Sequence, residues 1–170
     1  MAISLIGYRG TGKTTVGAAL AERLNWKFID LDPIIEQQSG MTIAQIFEQH
    51  GEPHFRMLES NALQQALSQG NVVVSPGGGA ILDSSNQGAM QGAGPVVWLV
   101  ASVETIMDRL ASDPATVHSR PSLTGSDALS EIADVLNVRT PIYNQAATIT
   151  VSTENRTPAS IVDEIVGQLD

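Results

Sequence analysis

Residues 7–14 have the residue types and the spacing of a loop that binds phosphate. The segment contains a glycine, four further residues, a Gly-Lys pair and a threonine, and it follows a short apolar run. Glycines allow successive backbone N–H groups to point inward, and a helix that starts there adds partial positive charge. Lys13 is placed to hold the outer phosphates of a nucleotide, and the Thr14 hydroxyl to hold magnesium. A glycine-rich turn is the alternative, whereas a dinucleotide fingerprint fails because Thr15 replaces its third glycine.

Two carboxylates, Asp30 and Asp32, follow the second apolar run of the chain. Ligand sites in open parallel sheets form beyond the carboxyl ends of the strands, and a period of two places both side chains on one side. Together they could serve a metal and a substrate. Asp32 precedes Pro33 and could simply cap a helix, whereas Asp30 is expected to have no helix to cap.

A run of three glycines, 77–79, follows the third apolar run, which ends at Ser75. Glycines expose backbone N–H groups to an approaching ligand, although a flexible connection between a strand and a helix is the alternative. No acidic residue ends this strand. Metal binding would therefore fall to Asp30 and Thr14.

Cationic residues are scarce, and seven of the nine are arginines. The planar guanidinium binds carboxylate or phosphate at two points, so this bias suits a small anionic ligand. Arg56 and Glu59 would share a helix face, by default as a surface ion pair of little energetic value. Arg139 is expected at the end of another helix, where it could merely interact with the helix dipole. Arg120 lies in a loop from which it could swing over bound phosphates.

Short apolar runs alternate with helical patterns along the chain, which is typical of a parallel sheet wrapped by helices. The predicted strands are 3–6, 27–29, 72–75, 96–100 and 148–151. The predicted helices are 14–24, 33–39, 43–68 with a break at 50–53, 103–110, 127–143 and 158–169. Thr42 with Gln45 predicts a capping box, and Thr157 before Pro158 predicts a capped helix start. Residues 111–125 are interpreted as a mobile loop of a length that is usually functional.

The composition excludes several classes of function. The chain has 170 residues and a net charge of −9, which argues against a nucleic-acid or anionic-membrane partner. It has no cysteine, and therefore no disulfide and no cysteine nucleophile. No apolar stretch approaches the roughly 20 residues needed to span a bilayer, and the chain shows no basic leader, so we expect a cytoplasmic protein. His50, His54 and His118 have no credible metal-ligand spacing.

The ordered set of motifs resembles the shikimate kinase family, a group of small P-loop proteins similar to nucleoside-monophosphate kinases. The resemblance covers essentially the whole chain. It is carried by residues 7–14, 28–32, 40–47, 51–59, 77–80, 120–121 and 139–143. Each motif is weak alone, but their order is highly specific.

The resemblance implies a three-layer α/β P-loop kinase fold. A five-stranded parallel sheet in the order 2-3-1-4-5 would carry helices on both faces, in a single domain of residues 1–170. A substrate-binding subdomain is expected near residues 32–60 and a lid near residues 111–124. The implied reaction transfers the ATP γ-phosphate to the 3-hydroxyl of shikimate, giving shikimate 3-phosphate and ADP in aromatic amino-acid biosynthesis. Mg²⁺ is the implied cofactor, and we expect a monomer with no nucleic-acid or membrane partner.

The resemblance also assigns roles to individual residues. The implied ATP-binding residues are Gly10, Thr11, Gly12, Lys13, Thr14, Thr15, Arg109, Arg120 and Arg156. The implied shikimate-binding residues are Asp32, Arg56, Gly77, Gly78, Gly79 and Arg139. Lys13, Asp32 and Arg120 would be catalytic, with Asp32 acting as the base or only positioning the substrate. Thr14 and Asp30 would hold the metal, Asp30 through water.

Two departures and two alternatives accompany this interpretation. The segment between Arg109 and Arg120 looks longer than is usual in the family, and Ser122 stands where an apolar residue is common. A kinase of gluconate type is one alternative, against which the two arginines Arg56 and Arg139 argue. A nucleotide-binding module without catalysis is the other, against which the intact Lys13 argues.

Overall fold

The chain forms a five-stranded sheet in which all neighbouring strands are parallel, in the order β2-β3-β1-β4-β5. This computed structural model describes residues 1–113 and 128–169. The strands are β1 (Ala2–Ile6), β2 (Lys27–Asp30), β3 (Val72–Ser75), β4 (Val96–Val100) and β5 (Ile149–Ser152). Ala2 pairs with Val72 on one side of β1, and Ser4 pairs with Val96 on the other. The predicted strand order is confirmed, and each predicted strand lies within one residue of its observed bounds.

Helices cover both faces of the sheet. They are α1 (Lys13–Leu24), α2 (Leu31–Ser39), α3 (Ile43–His50), α4 (Glu52–Leu67), α5 (Ser84–Ala93), α6 (Val103–Ser112), α7 (Ala128–Ala146) and α8 (Pro158–Leu169), with a 3₁₀ turn at Ala80–Leu82. Every residue of β1 and β3 is buried, as expected for strands covered on both faces. Alternation along β1 sends Ile3 and Leu5 into the core beside α1 and α8, and Ile6 into the core beside α2 to α5. The three-layer architecture follows.

Most predicted helix boundaries are confirmed, including the break between α3 and α4. Thr42 Oγ1 accepts a hydrogen bond from the Gln45 N–H at 3.1 Å, and Gln45 Oε1 accepts one from the Thr42 N–H at 2.9 Å, so the capping box is present. Helix α5 was missed because its ten residues offer Met90 as their one large apolar side chain. Helices of that composition have no strong hydrophobic period.

The expectation that Asp30 has no helix to cap was wrong. Strand β2 passes into α2 without a loop, so Asp30, with an extended backbone at φ −94° and ψ 123°, is itself the N-cap. Its Oδ1 atom accepts a long hydrogen bond of 3.4 Å from the Asp32 N–H. Asp32 lies in the first turn of α2 and is not the cap.

The start of α1 packs closely on β2 through Gly17. A methyl group at this position would overlap the ring of Phe28 and would lie 3.1 Å from Leu5 Cδ1. The glycine therefore supplies space between helix and sheet. It lies one turn after Thr14, and Phe28 lies two residues before Asp30, so this contact sets how near the two candidate metal ligands come to each other.

None of the helices within residues 1–113 and 128–169 combines the length and the apolar character that crossing a bilayer requires.

Candidate active site

A cleft of about 500 Å³ opens at the carboxyl ends of the central strands. This is where ligand sites form in open parallel sheets. Residues of the phosphate-binding loop, of the β2–α2 junction, of the segment after β3 and of α6 line it. The sequence-predicted residues among them are Gly10, Gly12, Lys13, Thr14, Thr15, Asp30, Asp32, Gly77, Gly78 and Arg109.

The phosphate-binding loop adopts a conformation that depends on its glycines. Gly10 has φ 79° and Gly12 has φ 98°, backbone values that other residues rarely adopt. Gly12 precedes the first residue of α1 and provides no side-chain cap. The N–H groups of the first turn of α1 therefore receive no side-chain acceptor from the cap, and such a helix start is suited to binding an anion.

Lys13 crosses its own loop. Its Nζ atom donates to the Gly7 carbonyl at 2.7 Å and to the Tyr8 carbonyl at 3.0 Å. The Thr11 hydroxyl donates to the same Tyr8 carbonyl at 2.7 Å, and Thr11 is buried. The side chain of Thr11 is therefore a structural part of the loop, and a contact from this residue to nucleotide would come from its backbone.

Thr14 and Asp30 meet at the edge of the cleft, with Thr14 Oγ1 donating to Asp30 Oδ2 at 3.0 Å. Burial raises the pKa of Asp30, and the nearby negative charge of Asp32 raises it further. Hydrogen bonds from Thr14 and from the Asp32 backbone, and the charge of Lys13, oppose this pKa shift without cancelling it. A cation at this position would relieve the cost of holding the carboxylate charged.

The donor set fits magnesium bound mainly to a nucleotide. Within the described ranges no three acidic or histidine side chains cluster into a metal cage. Mg²⁺ keeps several waters and takes its other ligands from substrate phosphates, with one or two protein oxygens. A hydroxyl and a carboxylate beside the phosphate-binding loop meet that requirement.

The pair formed by Arg56 and Glu59 is not the surface ion pair that the sequence predicts. Arg56 Nη1 lies 2.7 Å from Glu59 Oε1, and Glu59 is 0% exposed. Phe55, which precedes Arg56 on α4, belongs to the core. This packing turns the face of α4 that carries Glu59 inward. Glu52 Oε1 also contacts Arg56 Nη2, at 3.3 Å. A buried carboxylate thus fixes the orientation of the guanidinium.

The glycine loop, residues 77–79, is closely packed. Neither Gly78 nor Gly79 has a positive φ, so a left-handed turn does not explain them. A methyl group at Gly79 would overlap the guanidinium of Arg56, and one at Gly78 would lie 3.3 Å from the Gly7 carbonyl oxygen and 3.6 Å from Arg139 Nη1. These glycines allow the loop to fit between the phosphate-binding loop and two arginines.

The sequence predicted Arg139 at the end of a helix, but the structure places it inside α7. The helix continues past Pro141 to Ala146, so the dipole of the helix end does not account for this arginine. Arg139 forms no hydrogen bond or ion pair with another residue of the described ranges. Gly79 of the glycine loop does not line the cleft itself, and neither do Arg56 and Arg139 beside that loop.

Arg109 and Arg156 differ in what they contact. Arg109 lines the cleft and donates to the Gly10 carbonyl at 3.2 Å and to Thr153 Oγ1 at 3.0 Å. Arg156 does not line the cleft and is bonded to the Ser152 and Ser160 carbonyls and to Glu164. The structure therefore brings Arg109, but not Arg156, to the cleft. Arg120, Ser122 and residues 114–124 of the expected lid lie outside the described residues.

Sequence reasoning did not single out three charged residues that line the cleft, Arg9, Glu36 and Asp113. Arg9 is a cation inside the phosphate-binding motif, which was a sufficient signal. Glu36 lies one turn after Asp32 on α2, a spacing that puts both carboxylates on one helix face. Its Oε2 atom accepts a hydrogen bond from the Ile43 N–H at 3.2 Å and so fixes the start of α3.

Comparisons with known proteins agree with this geometry. The family model for shikimate kinase matches residues 9–170. The shikimate kinase of Sulfurihydrogenibium sp. is 40% identical over 98% of this chain and 96% of its own. The structure of shikimate kinase from Acinetobacter baumannii in complex with shikimate aligns with a TM-score of 0.91 and 35% identity, covering 98% of this chain and 91% of that one.

A gluconokinase from Sinorhizobium meliloti aligns less well, with a TM-score of 0.60 and 22% identity, covering 99% of this chain and 90% of that one. That similarity is one of fold alone. The match to the family model and the identity to a shikimate kinase extend over nearly the whole chain. The chain therefore belongs to the shikimate kinase family.

Proposed function

We propose that this protein transfers the γ-phosphoryl group of ATP to the 3-hydroxyl of shikimate, giving shikimate 3-phosphate and ADP. One observation carries the proposal. A glycine loop flanked by two guanidinium groups packs directly against a phosphate-binding loop, so closely that a methyl group on Gly78 would lie 3.3 Å from the Gly7 carbonyl oxygen and 3.6 Å from Arg139 Nη1. An acceptor with a carboxylate and hydroxyl groups can therefore be held next to a nucleotide.

The donor end binds and orients the triphosphate. The backbone N–H groups of the loop and of the start of α1 would bind phosphate oxygens, and Lys13 would exchange its two loop carbonyls for the outer phosphates. Phosphoryl transfer requires mainly positioning and neutralisation of negative charge. Arg109 would border the base from α6. We extend the same expectation to Arg156, although its present hydrogen bonds hold it at the junction of β5 and α8.

The metal would be held by the Thr14 hydroxyl directly and by Asp30 through water. Bound there, Mg²⁺ supplies positive charge to the phosphate oxygens and fixes their orientation. The raised pKa of Asp30 supports this assignment because a buried carboxylate beside a second one is stabilised by a cation.

The acceptor end holds the substrate by its charged and hydroxyl groups. Arg56 and Arg139 would bind the carboxylate, together with N–H groups of the glycine loop. Asp32 lines the cleft in the first turn of α2 and would accept a hydrogen bond from the 3-hydroxyl. This bond orients the hydroxyl towards the γ-phosphate and provides a place for its proton.

Two further parts of the proposal rest on the resemblance. Arg120 would neutralise the charge of the transferring group, on a lid formed by residues 111–124 that closes over the nucleotide and excludes water. Residues 32–60 would form the substrate-binding subdomain, in which α2, α3 and α4 pack through Ile35, Ile46 and Phe55. We expect a monomer that acts in the cytoplasm.

The test is an assay of ADP release with shikimate, gluconate or no acceptor, each with Mg²⁺ and with a chelator. We expect ADP only with shikimate and Mg²⁺, and a new phosphate ester in the ³¹P spectrum. The variant Asp32→Asn should lose this activity, and Asp163→Asn, at an exposed position of α8, should keep it. Preference for gluconate, or tight ATP binding without turnover, would contradict the proposal.

A further inference from the structure

Tyr143 is a buried residue of α7 whose hydroxyl serves the glycine loop. The side chain is completely buried, and its Oη atom donates to the Gly78 carbonyl oxygen at 2.6 Å. The ring stacks on Trp98 of β4, with 5.8 Å between centroids and 27° between planes. Because packing fixes the ring, the hydroxyl is held at one position, and so is the carbonyl that it binds.

This hydrogen bond also orients the next N–H group. In a trans peptide the C=O of one residue and the N–H of the next point in opposite directions, and the described chain contains no cis peptide. With the Gly78 carbonyl directed at Tyr143, the Gly79 N–H is directed away from the buried ring. This N–H forms no backbone hydrogen bond within the described ranges. It is a donor held in a fixed direction.

Tyr143 shares its helix face with Arg139, four residues earlier. The Nη1 atom of Arg139 lies 3.6 Å from the position that a methyl group on Gly78 would occupy. Helix α7 thus binds the Gly78 carbonyl through the Tyr143 hydroxyl, which sets the peptide plane, and places the Arg139 guanidinium beside the same residue. The distance between the loop donors and this guanidinium is therefore fixed by α7.

We propose that Tyr143 is a positioning residue for the acceptor carboxylate, because its hydroxyl sets the Gly78–Gly79 peptide against Arg139. The inference rests on the proposed function, since it concerns the same acceptor site. Tyr143 does not line the cleft and acts through the glycine loop.

The decisive variant is Tyr143→Phe, which removes one oxygen and keeps the stacked ring. Losing a buried hydrogen bond should raise KM for shikimate by about tenfold. KM for ATP and kcat should stay within about twofold, because the phosphate-binding loop is unchanged. The matched control is Ile165→Val, in the core on the other sheet face, which should lower Tm without changing either KM.

Several outcomes would overturn the inference. An unchanged KM for shikimate with a lowered Tm would leave Tyr143 a purely structural role, and equal increases in both KM values would indicate a global disturbance. If the unsubstituted protein shows no turnover of shikimate, the proposed function fails and the inference fails with it. If that protein turns over shikimate and the variant has the same KM, only the inference fails.

A second measurement follows the loop amide itself and can already contradict the inference in the unsubstituted protein. In protein labelled with ¹⁵N-glycine, the Gly79 amide resonance should shift when shikimate is added. In Tyr143→Phe that shift should be smaller. A Gly79 resonance that shikimate leaves unmoved in the unsubstituted protein would contradict the inference, even if the variant fails to fold.

Discussion

The two ends of the proposed active site are built in opposite ways. The donor end is one continuous segment of eight residues, in which Lys13 and Thr11 donate hydrogen bonds to carbonyls of the same segment. The acceptor end is assembled from α2, α4, α7 and the loop after β3, and one of its guanidinium groups is fixed by a buried carboxylate on α4. Local sequence therefore determines the first, whereas packing of distant segments determines the second.

Substitutions at the two ends should therefore have different effects on the reaction. A change in the donor end should affect the chemical step and leave acceptor binding intact. A change in the acceptor end should weaken shikimate binding and leave nucleotide binding intact. Gly78 belongs to the acceptor end and packs against Gly7 of the donor end, so it marks the boundary.

Lys13→Met should have the largest effect. Loss of the charge that meets the outer phosphates should lower kcat by about 10²- to 10³-fold, with the circular dichroism spectrum retained. Shikimate affinity by calorimetry should not change. The control is Lys27→Met, which alters the other lysine of the chain, an exposed one. Unchanged turnover in Lys13→Met would contradict the role of this residue.

Arg139→Ala should weaken shikimate binding by about 2 to 5 kcal/mol, or about 30-fold to several-thousand-fold. The reason is that the acceptor carboxylate would lose one of the two charged partners that we propose for it. Calorimetric titration with each ligand measures this, and ATP affinity should change by less than about twofold. Arg23→Ala, at an exposed position of α1, is the control. Equal losses for both ligands would remove the distinction between the two ends.

Gly79→Ala tests whether the glycine loop needs space. The new methyl group would displace the Arg56 guanidinium from the proposed carboxylate site, and a lost binding contact of about 1.4 kcal/mol would raise KM for shikimate by about tenfold. Gly88→Ala is the matched control, because a methyl group there meets nothing within 4 Å. If both variants keep the original KM, the packing of the loop against Arg56 has no functional consequence.

Asp30→Asn should have the smallest effect of these substitutions. In the protein without nucleotide, we expect it to change Tm by an amount that depends on pH. Because burial and Asp32 raise the pKa of Asp30 in the fold, its contribution to stability is complete below the ordinary value of 3.8 and is lost as pH rises through the raised value. Asparagine caps a helix as well as aspartate does. With a chelator present and no nucleotide, the variant should therefore have the higher Tm at pH 7.

The Tm difference for Asp30→Asn should disappear as the pH falls below the ordinary value of 3.8, because the carboxyl is protonated in both the folded and the unfolded protein there. Asp163→Asn serves as a control at an exposed site and should show no such pattern. If the wild-type protein has the higher Tm at pH 7, the Tm difference has the opposite sign to the one expected and the explanation is refuted.

The sequence predicted the elements that local rules govern. The strands, the phosphate-binding loop and the capping box at Thr42 follow from residue type and spacing, and all are present. The burial of Glu59 could not be predicted, because it depends on the rotation of α4 against the core. Asp30 and not Asp32 caps α2 because α2 begins directly after β2, without a loop. Moving that boundary by one or two residues would change which aspartate is the cap. Secondary-structure patterns do not resolve boundaries that finely.

The contact between Gly17 and Phe28 extends the active site beyond the residues that line it. Replacing a helical glycine with alanine usually stabilises a protein by about 0.5 to 1 kcal/mol, so Gly17 would be an obvious choice in a programme to increase thermal tolerance. Here the added carbon would push α1 off β2 and separate Thr14 from Asp30. Substitutions meant to raise the thermal stability of this enzyme should therefore avoid Gly17. Gly88 and Gly92 are better positions, because an added methyl group there would contact nothing within 4 Å.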